Sequence, residues 1–186
     1  MRIISGDFKG LALSSVGKGD AGAHLRPTTD RVRESLFNVL AGGKYGDAVT
    51  DARVLDLFAG TGALGLEALS RGAEHVCFVD DGRKAQSLVH ANVKICRAQD
   101  RTEVLHVDAT RLPLCGGAPY DLIFLDPPYG KTLGEQAMSA AIQGGWLAPR
   151  ALVVWEESVE IAVPDELTFL DTRKYGGSFI NFLEPK

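Results

Sequence analysis

A rigid polar loop is predicted at Asp126-Pro127-Pro128-Tyr129, directly after the apolar run 122–125. Paired prolines fix φ and keep the residue before each of them out of the helical conformation, so we expect the loop to be extended. Asp126 and the Pro127 carbonyl would then accept both N–H groups of a planar amine, and Tyr129 would offer a ring on which a base stacks. The alternative is an ordinary surface turn, because Asp-Pro and Pro-Pro are common in loops.

A glycine-rich segment has the G-x-G-x-x-G spacing and runs Asp56-Leu57-Phe58-Ala59-Gly60-Thr61-Gly62-Ala63-Leu64-Gly65. It is predicted to follow a strand and to open a helix. Glycines in such a turn let a ligand press against backbone amide groups, because no Cβ atom is in the way. No Gly-Lys-Ser or Gly-Lys-Thr ends the turn, which excludes the phosphate loop of nucleotide hydrolases. The alternative is that Gly60 and Gly62 only allow a tight turn.

Three acids at predicted strand ends would complete a site for a nucleoside. Asp80 lies 20 positions after Gly60, where a carboxylate can accept both hydroxyls of a ribose. Asp108, placed after a third strand, is expected to receive an adenine amine. Asp56 would repel a pyrophosphate but attract the ammonium group of a bound amino acid. The set therefore favours S-adenosylmethionine over a nicotinamide dinucleotide as cofactor.

Strands and helices are predicted to alternate after Asp51, which is typical of a mostly parallel sheet with helices on both faces. The predicted strands are 54–58, 76–79, 104–107, 122–125 and 152–155, and the predicted helices are 63–71, 84–97 and 138–143. We therefore expect an α/β, Rossmann-like fold in which the motifs lie at the carboxyl ends of the strands, where open sheets of this class bind ligands.

The two ends of the chain follow other patterns. Segments 167–171 and 178–183 flank Lys174-Tyr175-Gly176-Gly177 and predict an antiparallel C-terminal hairpin at the sheet edge. Before Asp51 we expect a small hairpin, 2–5 with 11–13, then a loop over 14–24. An amphipathic helix is predicted from Thr28 to about Gly42.

Composition limits the class of protein. The chain has 186 residues, 45% of them apolar, which fits one compact domain. No stretch approaches the roughly 20 apolar residues that span a bilayer, and no leader pattern opens the sequence. We therefore expect a cytoplasmic protein that does not enter a membrane. The three cysteines and four histidines are scattered, so neither a disulfide framework nor a metal site is expected.

The formal net charge of −4 hides a basic N-terminal segment. Residues 1–46 hold seven Lys or Arg and four Asp or Glu, a local charge of +3, and the rest of the chain carries −7. The total argues against a protein that coats nucleic acid. The asymmetry favours a substrate-facing extension, 1–46, on a catalytic core, 47–186, both within the single domain 1–186. Alternatively, Lys9, Lys18, Arg26, Arg31 and Arg33 form a solvated face.

Five segments carry a family resemblance: MRIISG at 1–6, RPTTDRVRESLFN at 26–38, DLFAGTGALGLEA at 56–68, the tetrad 126–129 and Tyr175-Gly176. Over nearly its whole length the chain resembles the bacterial 16S rRNA guanine-N2 methyltransferase family, usually called RsmD. That family belongs to the class I S-adenosylmethionine-dependent methyltransferases that act on exocyclic amines. The glycine loop and tetrad are shared by many methyltransferases, whereas the run RPTTDRVRE is specific to this family.

The resemblance implies a set of site residues and an activity. The implied catalytic residues are Asp126, Pro127, Pro128 and Tyr129; the cofactor contacts are Asp56, Phe58, Gly60, Thr61, Gly62, Asp80, Asp108 and Ala109; and the substrate contacts are Arg26, Thr28, Arg31 and Tyr129. The implied reaction is methyl transfer from S-adenosylmethionine to N2 of a guanine in 16S rRNA, within the 30S subunit or a late assembly intermediate. We expect a monomer that needs no metal. The alternatives are an amino-methyltransferase acting on adenine or cytosine in DNA and a non-catalytic, nucleotide-binding RNA-assembly module.

Overall fold

A mixed sheet of seven strands organises the computed structural model, which describes residues 1–15 and 29–186. The strands are β1 (Arg53–Leu57), β2 (His75–Val79), β3 (Thr102–Leu105), β4 (Tyr120–Leu125), β5 (Leu147–Glu157), β6 (Leu167–Tyr175) and β7 (Ser178–Pro185). Their spatial order is β3-β2-β1-β4-β5-β7-β6. The first five run parallel, and β7 lies antiparallel between β5 and β6. The predicted α/β fold with a C-terminal antiparallel hairpin is therefore confirmed.

Helices cover both faces of the sheet, as predicted. They are α1 (Asp30–Ala41), α2 (Ala63–Ser70), α3 (Arg83–Ile95) and α4 (Leu133–Gln143). Helices α1, α2 and α3 pack on one face with Val54, Phe78 and Phe124, and α4 packs on the other with Leu55 and Ile123. Successive strand residues point to opposite faces. The continuous apolar runs therefore supply both cores at once.

The order of the strands creates a crevice at their carboxyl ends. The chain moves outward from β1 to β2 and β3, then returns to the other side of β1 for β4. Loops leaving β1 and β4 thus turn to opposite faces and leave a gap between them, which is where sheets of this kind bind ligands. Both motifs, the glycine loop and the tetrad, follow these two strands.

Several boundaries differ from the prediction. Strand β3 ends at Leu105, so Val107 is not in a strand and Asp108 instead precedes a 3-10 turn, Ala109–Arg111. Helix α4 begins at Leu133, five residues before the predicted start at Met138. Its early turns were missed because Thr132 adopts φ 54° and Gly134 packs against the indole of Trp155, neither of which shows as apolar periodicity.

The N-terminal hairpin is smaller than predicted. A single antiparallel bridge joins Arg2 to Ala12, and Ile3 N–H donates to the Leu11 carbonyl at 3.0 Å. Helix α1 begins after Thr29, whose hydroxyl caps it by accepting from Val32 N–H. Most of the loop predicted over 14–24, together with Arg26 and Thr28, lies outside the described residues.

A buried carboxylate, Glu67 on α2, holds the N-terminal hairpin on the core. It accepts hydrogen bonds from the backbone N–H groups of Ile4 at 2.8 Å and Ser5 at 3.1 Å. It also accepts from Arg71 Nε at 2.7 Å and faces Arg33 Nε at 3.8 Å. Glu67 is therefore the point at which the hairpin, α1 and α2 meet.

Arg33 does not belong to a solvated face. Its side chain is 0% exposed, donates to the carbonyl of Arg2, and pairs with Asp30 at 3.0 Å. Burial lowers the pKa of Arg33, and the carboxylates of Glu67 and Asp30 act in the opposite direction. This arginine stabilises the docking of the hairpin and is unavailable to a substrate.

We predict that Glu67→Ala destabilises the protein by about 3–5 kcal/mol, because it leaves a buried arginine and two backbone N–H groups without their acceptor. Chemical denaturation of Glu67→Ala and of the exposed control Glu74→Ala measures the free energies of unfolding. Equal stability of both variants would contradict the role given to Glu67.

Candidate active site

The site is built at the carboxyl ends of β1, β2, β4 and β5. The glycine loop follows β1, Asp80 follows β2, the tetrad follows β4, and Glu156 and Glu157 end β5. Parallel neighbours end at one edge of a sheet, so the register that pairs Leu57 with Leu125 brings the loop and the tetrad together. The two predicted motifs therefore share one crevice.

The backbone of the glycine loop turns through left-handed conformations. Phe58 has φ 58°, Gly60 has φ 57° and Gly62 has φ 75°. Gly62 is the N-cap of α2 and offers no side-chain cap. The turn therefore presents backbone rather than side chains where the chain enters α2, as the spacing predicted.

Asp80 ties this loop to the end of β2. One of its carboxylate oxygens accepts from Gly60 N–H at 2.9 Å, and the other accepts from Gly82 N–H at 2.8 Å. Burial raises the pKa of Asp80, and these two hydrogen bonds oppose the rise. A carboxylate oxygen can accept two hydrogen bonds, so each oxygen keeps acceptor capacity for a hydroxyl.

Asp56 lies under the start of α2 and is 2% exposed. Its Oδ2 accepts from Gly65 N–H at 3.0 Å. A Cβ on residue 65 would lie 3.0 Å from that oxygen and 2.5 Å from the Phe78 ring, so only glycine allows this approach. Burial raises the pKa of Asp56 to about 8 despite the hydrogen bond from Gly65.

Asp126 is the half-buried acid that follows β4. It accepts no hydrogen bond within the described part of the chain. Burial raises its pKa well above the usual range, and the negative charges of Glu156, Asp56 and Glu157 raise it further. Asp126 is thus a carboxyl whose charge has no compensating cation among the described residues, a property that favours an amine or cationic ligand beside it.

The hydroxyl of Tyr129 is held by β5. It donates to Glu156 Oε1 at 2.7 Å, and the Ser178 hydroxyl donates to the same oxygen at 2.8 Å. Burial raises the pKa of Tyr129, and the hydrogen bond to the Glu156 carboxylate adds to the rise. Sequence reasoning assigned no role to Glu156 or Ser178; the available signal was a pair of acids directly after an apolar strand.

Asp108 has a structural partner that the sequence did not indicate. Its Oδ1 accepts from Thr110 N–H at 2.9 Å and from the Thr110 hydroxyl at 2.7 Å, which caps the 3-10 turn. These hydrogen bonds lower the pKa of Asp108. The neighbouring Ala109 is buried under this turn. Asp108 therefore stays ionised but already carries two donors on one oxygen.

Asn92 on α3 supports the glycine loop from the other side. Its amide donates to the Thr61 carbonyl at 2.8 Å and to the Ser14 carbonyl at 3.0 Å, and it accepts from Ser14 N–H at 2.7 Å. The side chain is 0% exposed. The sequence predicted no role for Asn92, although a polar residue among the apolar positions of α3 is a signal for such a bond.

The predicted substrate contacts are only partly within the described residues. Arg31 is exposed on α1, and Arg26 and Thr28 lie outside that part of the chain. Helix α1 reaches the C-terminal hairpin through Ser35, whose hydroxyl lies 3.0 Å from that of Tyr175. Of the two predicted contacts that are described, Arg31 and Tyr129, it is Tyr129 that follows β4 at the crevice.

The donor set restricts the ligand. Residues 56–65 contain no Lys or Arg, and the N–H groups of Gly60 and Gly62 already donate to Asp80 and to the Ala59 carbonyl. A pyrophosphate at this loop would therefore meet neither a cation nor these two amides. Within 1–15 and 29–186, no three His, Cys, Asp or Glu side chains come together as a metal site. Across the same residues, no helix is long and apolar enough to cross a bilayer. Hydroxyls, amines and an ammonium group fit this chemistry.

The chain matches a family model and named proteins over most of its length. The model described as Conserved hypothetical protein 95 covers residues 1–184. Ribosomal RNA small subunit methyltransferase D of Escherichia coli K12 is 38% identical over 164 residues, which cover 88% of this chain and 78% of that protein. The protein of the same name from Haemophilus influenzae is 33% identical over 182 residues, covering 95% of this chain and 89% of its own.

A solved structure shares the whole fold. The Escherichia coli protein yhhF superposes with a TM-score of 0.82 and 34% sequence identity. The match covers 100% of this chain and 98% of that one. The N-terminal hairpin, the seven-stranded sheet and the C-terminal hairpin are thus features of the matched architecture as a unit.

We predict that Asp56→Asn flattens the pH dependence of stability. Burial raises the pKa of Asp56 from its ordinary value of 3.8 to about 8 in the folded chain, so its bound proton contributes stability at low pH that is lost as pH rises through 8. Asparagine keeps an acceptor for Gly65 N–H and carries no charge. The variant should therefore gain stability relative to wild type as pH increases.

Thermal denaturation between about pH 5 and pH 8 measures this difference. The exposed replacement Asp100→Asn is the matched control, for which the difference from wild type should stay nearly constant. A constant difference for Asp56→Asn as well would contradict the raised pKa of the buried carboxyl.

Proposed function

Because the chain belongs to the Conserved hypothetical protein 95 family, the RsmD family that the motifs indicated, we propose that it methylates N2 of a guanine in 16S rRNA with S-adenosylmethionine. The sheet order and the inserted antiparallel strand are those of class I methyltransferases. The observation that carries the proposal is a half-buried Asp126, on a proline-braced loop, in the same crevice as the glycine loop.

The crevice suits S-adenosylmethionine. Asp80 can accept the ribose hydroxyls with the lone pairs that Gly60 and Gly82 leave, and Asp56 can attract the ammonium group. The backbone of Gly60, Thr61 and Gly62, the ring of Phe58 and the turn at Asp108 and Ala109 are the remaining proposed contacts. The bound cofactor supplies a methyl group on a positively charged sulfur.

Asp126 and the tetrad would hold the amine. The Asp126 carboxylate and the Pro127 carbonyl accept the two N–H groups, which turns the nitrogen lone pair toward the methyl group for an in-line displacement. Pro127 and Pro128 keep the two acceptors at a constant separation. The charge that develops on the nitrogen is stabilised by the ionised Asp126, and the extra proton passes to Asp126 or to water.

Tyr129 would stack on the target guanine once that base has left its own stack. Aromatic stacking binds any base, so the tetrad selects an amine and not a sequence. Arg26, Thr28 and Arg31 are the proposed contacts to RNA around that base. Two curated relatives named as small-subunit rRNA methyltransferases favour rRNA over DNA, and we propose that a monomer acts in the cytoplasm on the 30S subunit or a late assembly intermediate.

Labelled S-adenosylmethionine tests the substrate. It is offered with naked 16S rRNA, with 30S subunits from cells that lack this gene, and with DNA, and the methylated nucleoside is identified by mass spectrometry. The proposal predicts N2-methylguanosine in the ribosomal samples, with 30S subunits at least as active as naked RNA. Methylated adenine or cytosine in the DNA sample would overturn this proposal and show instead an amino-methyltransferase that acts on DNA. Cofactor binding in calorimetry without transfer to any sample would favour the assembly module.

We predict that Asp126→Ala lowers kcat by about 100- to 1,000-fold with little change in affinity for S-adenosylmethionine, because one of the two amine acceptors is lost. Asp126→Asn should retain more activity, since its amide oxygen still accepts a hydrogen bond. Single-turnover methylation and calorimetry measure the two effects. Unchanged turnover of Asp126→Ala with normal cofactor binding would refute the role of the tetrad.

The same residue predicts a pH dependence. Burial and the neighbouring carboxylates raise the pKa of Asp126, and only the ionised form accepts both the amine and its charge. The rate of wild type should therefore increase with pH through that raised pKa, at higher pH than for an ordinary carboxyl. In Asp126→Asn this increase of the rate with pH should be absent, and a pH–rate profile of both proteins measures the difference.

A further inference from the structure

The phenol of Tyr129 is fixed to a part of the fold that the tetrad does not include. Its hydroxyl donates to Glu156 Oε1 at 2.7 Å, and the hydroxyl of Ser178 donates to the same oxygen at 2.8 Å. Glu156 is on β5 and Ser178 opens β7. Three separate segments thus meet at one carboxylate oxygen.

The two strands give that carboxylate a rigid base. Glu156 pairs with Ile180 of β7, and the preceding Trp155 pairs with both Leu125 of β4 and Asn181 of β7. The loop after β4 has no such pairing beyond Leu125. The prolines restrict its backbone, but they do not set the side-chain torsions of Tyr129. The orientation of the ring therefore depends on the bond from its hydroxyl.

We propose that Glu156 is a positioning residue for Tyr129 and that Ser178 orients the Glu156 carboxylate. The inference rests on the proposed function only in taking Tyr129 as the platform for the target base. Glu156 would hold the far end of the phenol so that the ring face lies across the amine site at Asp126. A hydrogen bond to an ionised acceptor is stronger than one between neutral groups, which suits a carboxylate for this task.

The hairpin tip extends this connection toward α1. Tyr175, which ends β6 next to the tip, has its hydroxyl 3.0 Å from that of Ser35 on α1. Ser178 is separated from Tyr175 by Gly176 and Gly177 alone. One tight turn thus contacts both the helix that carries Arg31 and the carboxylate that holds Tyr129. The alignment of the stacking ring with the proposed RNA-facing surface follows from that shared turn.

Kinetics of variants test the role of Glu156. Glu156→Ala should lower kcat by about 10- to 100-fold, the scale of a small misplacement near a reacting group, with the Kd for S-adenosylmethionine unchanged. Glu156→Gln keeps an acceptor oxygen and should restore most of the rate. Tyr129→Phe should lose about as much as Glu156→Ala, and the double variant should lose no more than either. Ser178→Ala should show a smaller loss in the same direction.

The matched control is Glu160→Ala, an exposed acid just beyond β5, which should behave as wild type. Wild-type kcat for Glu156→Ala, or additive losses in the double variant, would overturn the proposal. If kcat of Glu156→Gln is as low as that of Glu156→Ala, the proposal is also overturned, because loss of the hydrogen bond would then not be the cause.

Crystal structures give a readout that needs no methyl transfer. In wild type and Glu156→Gln the Tyr129 ring should keep one orientation, and in Glu156→Ala it should rotate or lose its density, with β5 unchanged. A Tyr129 ring that stays in place in Glu156→Ala would refute the positioning role. Failure of wild type to methylate rRNA would instead refute the proposed function, and the crystal structures would still decide the role of Glu156.

Discussion

Crowded carboxylates at the strand ends are the constraint on which the rest of the site depends. The topology brings Asp56, Asp126, Glu156 and Glu157 to one partly buried edge, where burial raises the pKa of Asp126 and the charges of the other three carboxylates raise it further. Like charges in a poorly hydrated crevice are unfavourable unless a cation or a proton joins them. A ligand with amine, ammonium or sulfonium character relieves the repulsion.

Buried acids in this protein fall into two groups with different consequences. Glu67 is surrounded by donors and an arginine, so its charge is compensated and it stabilises the docking of the N-terminal hairpin. Asp126 has no hydrogen-bond donor within the described residues, and Asp56 has one, from Gly65. The first arrangement is complete without a ligand. The second keeps unused hydrogen-bonding capacity within the described residues, which distinguishes Asp126 and Asp56 from Glu67 more sharply than burial alone.

The sequence predicted the fold and the location of the site because both depend on local patterns. Apolar runs marked the strands, and the glycine spacing and the prolines marked the two loops that meet across β1 and β4. The roles of single polar residues were harder to predict. Arg33 was expected on a substrate-facing extension or on a solvated face and is buried, Asp108 was expected at a strand end and caps a turn, and no role was predicted for Glu156. Arg33 and Glu156 depend on partners far away in the chain, which periodicity does not reveal. Asp108 bonds to Thr110, only two residues on, so here the missed signal was a local capping pair rather than a distant one. The division at residue 46 stays a prediction.

The position of β7 determines when the C-terminal part of the sheet can assemble. Strand β6 leaves the ribosome before β7, but it joins the sheet only through β7, which inserts between β5 and β6. Until residues 178–185 are available, β5 is an open edge of unpaired backbone groups and Glu156 lacks the Ser178 hydroxyl. Docking of β7 therefore pairs the open side of β5 and also brings the Ser178 hydroxyl to Glu156. A chain without residues 178–185 would leave the backbone groups of β5 unpaired, which promotes aggregation. It would also lack the hydrogen bond from Ser178 to Glu156.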